Sequence, residues 1–143
     1  MQYRKRNPKR EGMTLIEVML VLFILMTIAS VGMVAVTKYR ARAHNDFAKM
    51  QLGQLAELLD LYEGTVGNYP STEEGLDALC TCPPSVDSST WVKTANWSTQ
   101  PLDPWGNRYN YQYPGSGGMD TFDLWSSGAD GQTGTEDDLV FKR

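Results

Sequence analysis

Residues 12–36 read GMTLIEVMLVLFILMTIASVGMVAV, and how this stretch is read decides the fold. From Val18 to Thr37 there are 20 residues without a charge. A helix rising ~1.5 Å per residue carries that length roughly 30 Å, the thickness of a bilayer core. The stretch therefore reads as a transmembrane helix. Glu17 stands at its start, where a carboxylate is costly unless something pairs with it.

The charge on either side of the run is uneven. Residues 1–12 hold Arg4, Lys5, Arg6, Lys9 and Arg10 against Glu11, a net +4. The whole chain is −4, so residues 13–143 carry −8. A basic segment ahead of an apolar span follows the positive-inside pattern. It places the N-terminus in the cytoplasm and sends the acidic remainder across the inner membrane. An acidic bulk also argues against nucleic-acid binding, which asks for a basic face.

Downstream, no proline interrupts Met13–Tyr69. One long helix is expected from about Thr14 to about Tyr62, roughly 70 Å at ~1.5 Å per residue. Its character changes midway. Lys38, Arg40, Arg42, His44, Asn45 and Asp46 mark the exit into water. Phe47, Met50, Leu55, Leu58, Leu59 and Tyr62 then recur at helical spacing, with Ala48 and Leu52 on the flanks. Such a stripe faces one partner, so this half is amphipathic and packs on a soluble head. Gly64 or Gly67 ends it.

In the head, Pro70 stops any helix, and Ser71 with Glu74 makes a capping box for a short helix over about Thr72–Leu79. DPWGN (103–107) is a turn, and Trp91–Trp97 is expected to be partly extended. Alternation at Tyr109, Tyr111 and Tyr113, then at Phe122 and Leu124, predicts two strands around the glycine-rich PGSGG connection. A third strand is expected over Leu139–Phe141. The fold class is α+β, a long N-terminal helix laid on a small antiparallel sheet. The expected divisions are a leader at 1–12, an apolar helix half at 13–37, an amphipathic half at 38–63 and a periplasmic head at 64–143.

The leader can be cut in two places. A cut inside IASVGMVA frees the head and leaves Glu17 without purpose. A cut between Gly12 and Met13 keeps the span and creates an α-amine on Met13, one helical turn from Glu17. That amine, or the one on a neighbouring subunit, can pair with the carboxylate. KREGMTLIEVMLVLFIL (9–25) resembles the leader and first helix of type IV pilin-like proteins. The resemblance implies cleavage after Gly12, N-methylation of Met13 by a prepilin peptidase/methyltransferase, and assembly guided by Glu17. It also implies a pilin-like fold. Met13 departs from the phenylalanine usual at that position.

FDLWSSGADGQTGTEDD (122–138) gathers Asp123, Asp130, Glu136, Asp137 and Asp138 among glycines. Hard oxygen donors on a pliable loop suit Ca²⁺, though the spacing is not that of an EF-hand. A solvated acidic turn is the alternative on chemistry alone. With YPSTEEGLDAL (69–79) and DPWGNRYNYQYPG (103–115), the segment resembles the major pseudopilins of type II secretion systems. That resemblance implies a structural calcium in this loop. Asp123 and Asp130, seven apart, would be its main ligands, with Asp137 or Asp138 as a third carboxylate. It implies a homopolymer anchored first in membrane lipid, then built into a periplasmic filament with minor pseudopilins and an inner-membrane secretion platform. CTCPP (80–84) and SSTWVKTANWS (88–98) have no counterpart in that resemblance.

Other patterns carry less. Cys80 and Cys82 are too few, even with His44, for a four-ligand zinc site in one chain; they can be oxidised to a strained disulfide, bind metal or link subunits, or stay reduced. His44 has no recognisable nucleophile beside it, so no catalytic constellation is seen and no enzyme activity is expected. A surface pilus for adhesion, motility or DNA uptake shares the same architecture and is the competing function.

Overall fold

A computed structural model describes the backbone of residues 12–142, and the side chains of the same residues apart from 31–36. Apart from Gly12, the expected leader lies outside the described residues. Two compact units divide the chain, with the boundary between Arg40 and Ala41.

Helix α1 runs Leu15–Val66. It starts at Thr14, whose carbonyl accepts the Glu17 N–H at 3.1 Å and whose Oγ1 lies 3.4 Å from the same nitrogen. Thr14-x-x-Glu17 thus has the spacing of a capping box. In the first unit every described side chain from Leu15 to Ser30 is exposed, Leu15 at 81% and Phe23 at 70%. The two hydroxyls in this run are met within the helix: Thr27 Oγ1 donates to the Ile24 carbonyl at 2.7 Å and Ser30 Oγ to that of Thr27 at 2.8 Å. Among the described residues, no helix is long and apolar enough to cross a membrane. The span expected over Val18–Thr37 includes residues 31–36, whose side chains lie outside those described.

In the second unit, α1 turns Ala48, Leu52, Leu55, Ala56, Leu59 and Tyr62 inward. Phe47 and Met50 from the expected stripe are about half exposed instead. The stripe that packs is therefore centred on Leu52–Leu59. The helix passes through Gly64 and closes at Gly67, whose N–H bonds to the Glu63 carbonyl at 2.7 Å. It ends four residues later than Tyr62 for that reason.

The Ser71/Glu74 capping box forms in both directions. Ser71 N–H donates to Glu74 Oε2 at 2.8 Å, and Glu74 N–H to Ser71 Oγ at 3.3 Å. The expected helix over Thr72–Leu79 does not form behind it. Thr72–Glu74 are turns, and a 3-10 helix covers Gly75–Leu79. Gly75, the first residue of the 3-10 helix, has φ +57°, so right-handed helical geometry cannot run continuously from Thr72 into it. Leu76, Ala78 and Leu79 reach the core from this piece.

Three strands make one antiparallel sheet in the order β1 (Asn110–Gln112), β2 (Asp123–Ser126) and β3 (Leu139–Val140). Tyr111 pairs with Leu124, and Ser126 with Leu139. Trp91–Trp97 forms no strand. Gly115 and Gly118 bridge within PGSGG, which makes it the hairpin connection read from the sequence. Tyr109, Tyr111 and Leu124 complete one core with the inner face of α1, the 3-10 helix and Ala95. At ~25 cal/mol per Å² of apolar surface removed from water, this cluster is the main favourable term for the head.

Candidate functional site

The residues singled out from the sequence fall in two places. At the N-terminus, Gly12 and Met13 are exposed, and nothing stands within 4 Å of where a Cβ on Gly12 would be. The peptide after Gly12 is sterically open. Because α1 starts at Leu15, Met13 precedes the capping residue. Glu17 occupies the first turn, where a carboxylate meets the positive end of the helix dipole. The Thr-x-x-Glu spacing was the signal for this second role.

The acidic residues separate into two groups. Asp123 opens β2, and its carboxylate is engaged by Ser116 of the hairpin: the backbone N–H reaches Oδ2 at 2.8 Å and Oγ reaches Oδ1 at 3.1 Å. Asp130, Asp137 and Asp138 lie in the loop that leaves the other end of β2. Asp123 is held by Ser116 at the start of β2, while Asp130, Asp137 and Asp138 follow its end. Seven-residue spacing also relates Asp130 to Asp137, and those two do meet.

Asp137 Oδ2 accepts the N–H groups of Ala129 at 2.7 Å and Asp130 at 3.1 Å. Its Oδ1 accepts the Thr135 hydroxyl at 2.7 Å, and that hydroxyl also lies 3.4 Å from Asp130 Oδ1. The Thr135 hydroxyl, with the Asp130 and Ala129 amides, holds the Asp137 carboxyl below the usual carboxylate range. Asp138 Oδ2 accepts Gly134 N–H at 2.6 Å, while its Oδ1 is buried with no hydrogen-bond partner. Glu136 is exposed. Among the described residues, no three His, Cys, Asp or Glu side chains are gathered as a metal-holding group.

The fit to a hard cation rests on the donor set and on Asp138. Three carboxylates and glycine-rich backbone carbonyls are oxygen donors of the kind Ca²⁺ takes. A buried, unpartnered carboxylate oxygen is expensive, and a cation is the partner such an atom lacks. Gly128 shapes the loop's root: it has φ +62°, and a Cβ there would collide with the Asp137 carboxylate.

One buried carboxylate was not singled out from the sequence. Asp103 is 5% exposed and accepts hydrogen bonds from Trp105, Asn107 and Ser126. Asp-Pro at a turn is so common that burial leaves no mark on the pattern. Cys80 and Cys82 are half-buried free thiols, with Cys80 Sγ 3.2 Å from the Asp77 carbonyl and Cys82 Sγ 3.7 Å from that of Val86. His44 meets the Trp105 ring edge-on at 5.9 Å.

Comparison with known proteins assigns the chain. The family model described as "Type II secretion system (T2SS), protein G" matches residues 35–140. The type II secretion system core protein G of Pseudomonas aeruginosa is 38% identical over 130 residues, 90% of each chain. That of Vibrio cholerae is 36% identical over 132 residues, 92% of this chain and 89% of the relative. The crystal structure of the major pseudopilin from the type 2 secretion system of enterohaemorrhagic Escherichia coli superposes with a TM-score of 0.60 at 31% identity, covering 73% of this chain and 90% of that one. The chain belongs to the protein G family of type II secretion systems.

Proposed function

We propose that this chain is the major structural subunit of a type II secretion pseudopilus, and that it works by polymerising. Its relatives are core protein G, and its structural neighbour is a major pseudopilin, which favours this reading over a surface pilus. The observation that carries the mechanism is the continuously exposed apolar run of Leu15–Ser30. An exposed apolar surface of that extent calls for lipid or other protein around it. Before assembly the segment Val18–Thr37 lies in the inner membrane; in the filament it packs against the same segment of other subunits. The head stays in the periplasm, and filament growth drives folded proteins toward the outer membrane. Minor pseudopilins and an inner-membrane platform are its partners.

Cleavage between Gly12 and Met13, followed by N-methylation, readies the subunit. The open backbone at Gly12 supports the site of the cut. Glu17 then pairs with a Met13 amine, and the start of α1 beyond Met13 favours the amine of a neighbouring subunit. A lone subunit satisfies the carboxylate poorly and a filament satisfies it well, so the pair sets the register.

Ca²⁺ is structural in this reading. Asp130, Asp137 and Asp138 would hold it, and Asp123 remains with Ser116. The ion would neutralise carboxylates that repel one another on a loop with little apolar content. The unpartnered Asp138 Oδ1 supports this.

The function is tested by producing the chain together with the other components of a type II secretion system and shearing the cells. Filaments built from this chain, cut after Gly12, are the expected product. Correctly cut chain that stays wholly in the membrane fraction, with export unaffected by its deletion, would overturn the assignment.

A further inference from the structure

The DPWGN turn is not only a turn. Asp103 Oδ1 accepts the N–H groups of Trp105 at 3.1 Å and Asn107 at 2.8 Å, which fixes the turn's shape. Asp103 Oδ2 accepts the Ser126 hydroxyl at 2.6 Å. Ser126 Oγ in turn accepts the Gly128 N–H at 3.2 Å. Asn107 Nδ2 donates to the Gly128 carbonyl at 3.1 Å. Both polar groups of Gly128 are therefore held by one network rooted in the turn. Asn107 also packs beneath Gly131, where a Cβ would stand 3.3 Å from its Oδ1.

The other side of Gly128 carries Asp137. The network thus sets the position of the residue against which the candidate calcium loop closes. Ser126, Ser127 and Gly128 are buried, whereas the loop residues from Ala129 to Glu136 are exposed. Exposed backbone has little packing to hold it, so the buried root must fix its course.

We infer that Asp103 and Asn107 are positioning residues for the cation loop. They touch no cation themselves; they hold Gly128 so that Asp137 can organise the backbone at Ala129 and Asp130. This rests on the calcium reading above. Groups hydrogen-bonded directly to a metal's ligands contribute about 10–100-fold to affinity, and residues acting through Gly128 should fall at the lower end of that range.

The test uses the full chain in detergent micelles, with Ca²⁺ titrated by calorimetry and melting followed in Ca²⁺ and in EDTA. Asn107→Ala should weaken Ca²⁺ binding by about tenfold or more and shrink the calcium-induced rise in Tm. Gln100→Ala is the control. It removes a hydrogen bond to the Tyr109 carbonyl at 2.6 Å, away from the loop, and should lower Tm equally with and without Ca²⁺. Asn107→Ala with wild-type Ca²⁺ affinity would overturn the inference and leave the calcium reading standing. A wild-type chain that takes up no Ca²⁺ would overturn both. If Asn107→Ala does not fold, Asp103→Asn carries the same comparison, since it keeps the side chain's shape while removing its charge.

Discussion

The two halves of α1 use similar residues to opposite ends. From Leu15 to Ser30 the helix is apolar apart from Glu17, Thr27 and Ser30, and every described side chain is exposed. From Ala48 to Tyr62 the apolar residues are fewer, yet Leu52, Leu55, Leu59 and Tyr62 are at most 2% exposed. Leucine content alone does not decide burial. The second half is patterned, with a stripe that one sheet and one 3-10 helix can cover. The first half is apolar all round, so a small head could never cover it. Its partners must come from outside the chain.

That contrast can be broken by paired substitutions. Leu59→Ala should destabilise the head by about 2–5 kcal/mol, because it leaves a cavity in a packed core. Leu20→Ala, at a site 59% exposed, should leave the head's melting within about 0.5 kcal/mol of wild type while weakening filament yield. Equal melting curves for the two variants, recorded in detergent, would dissolve the distinction between the halves.

A smaller effect is expected at the sheet. Tyr111 donates to the Pro70 carbonyl at 2.8 Å, so Tyr111→Phe leaves a buried acceptor unmet and should cost about 1–3 kcal/mol. Burial, then the neighbouring Tyr113 and Tyr69 hydroxyls, pushes the Tyr111 hydroxyl above its ordinary 10.0. A raised folded value means the unfolded chain loses its proton first as pH climbs. The stabilisation is thus complete below pH 10.0 and is lost as pH rises beyond it. Urea midpoints measured from pH 9 to 11 should fall less steeply for Tyr111→Phe than for wild type, at ~2.303RT per proton.

The smallest effect on folding belongs to Glu17. Glu17→Ala should leave the melting of the head unchanged, since the carboxylate lies in the other unit. It should also leave cleavage after Gly12 intact and sharply reduce filament number by electron microscopy. Normal filaments from this variant would remove the role assigned to Glu17.

Much of this architecture was legible because it obeys local rules. The stop at Gly67, the reciprocal bonds of Ser71 and Glu74, and the alternation around Tyr111 and Leu124 all come from short-range spacing. What escaped was long-range or conformational. Thr14 hid as a cap because the apolar run drew attention to Glu17 alone. Gly75 turned an expected α-helix into a 3-10 piece through a backbone angle that sequence does not display. Asp123 and Asp130 were paired as ligands by the resemblance to major pseudopilins, and their spacing alone carries no geometry. Four of the eight residues from Asp123 to Asp130 form strand β2, with Asp123 held by Ser116 at its start.

The pairing of Ser126 with Leu139 gives the acidic loop an unexpected topology. Residues 127–138 leave β2 and return to the same strand, so they form a ring closed by the pairing of Ser126 with Leu139 and Trp125 with Val140 and by the Phe141 N–H on the Leu124 carbonyl at 2.9 Å. A ring of this kind is indifferent to its own circumference: doubling a flexible loop adds only ~0.6 kcal/mol of closure entropy. It is sensitive to its clasp, which is made by Leu139–Phe141. An insertion between Gln132 and Thr133 should therefore cost little closure entropy, and its effect should come from the Gly134 and Thr135 contacts to Asp138 and Asp137, whereas loss of Leu139–Phe141 should spring the ring open. The freedom to vary the exposed face of the subunit depends on a strand two residues long.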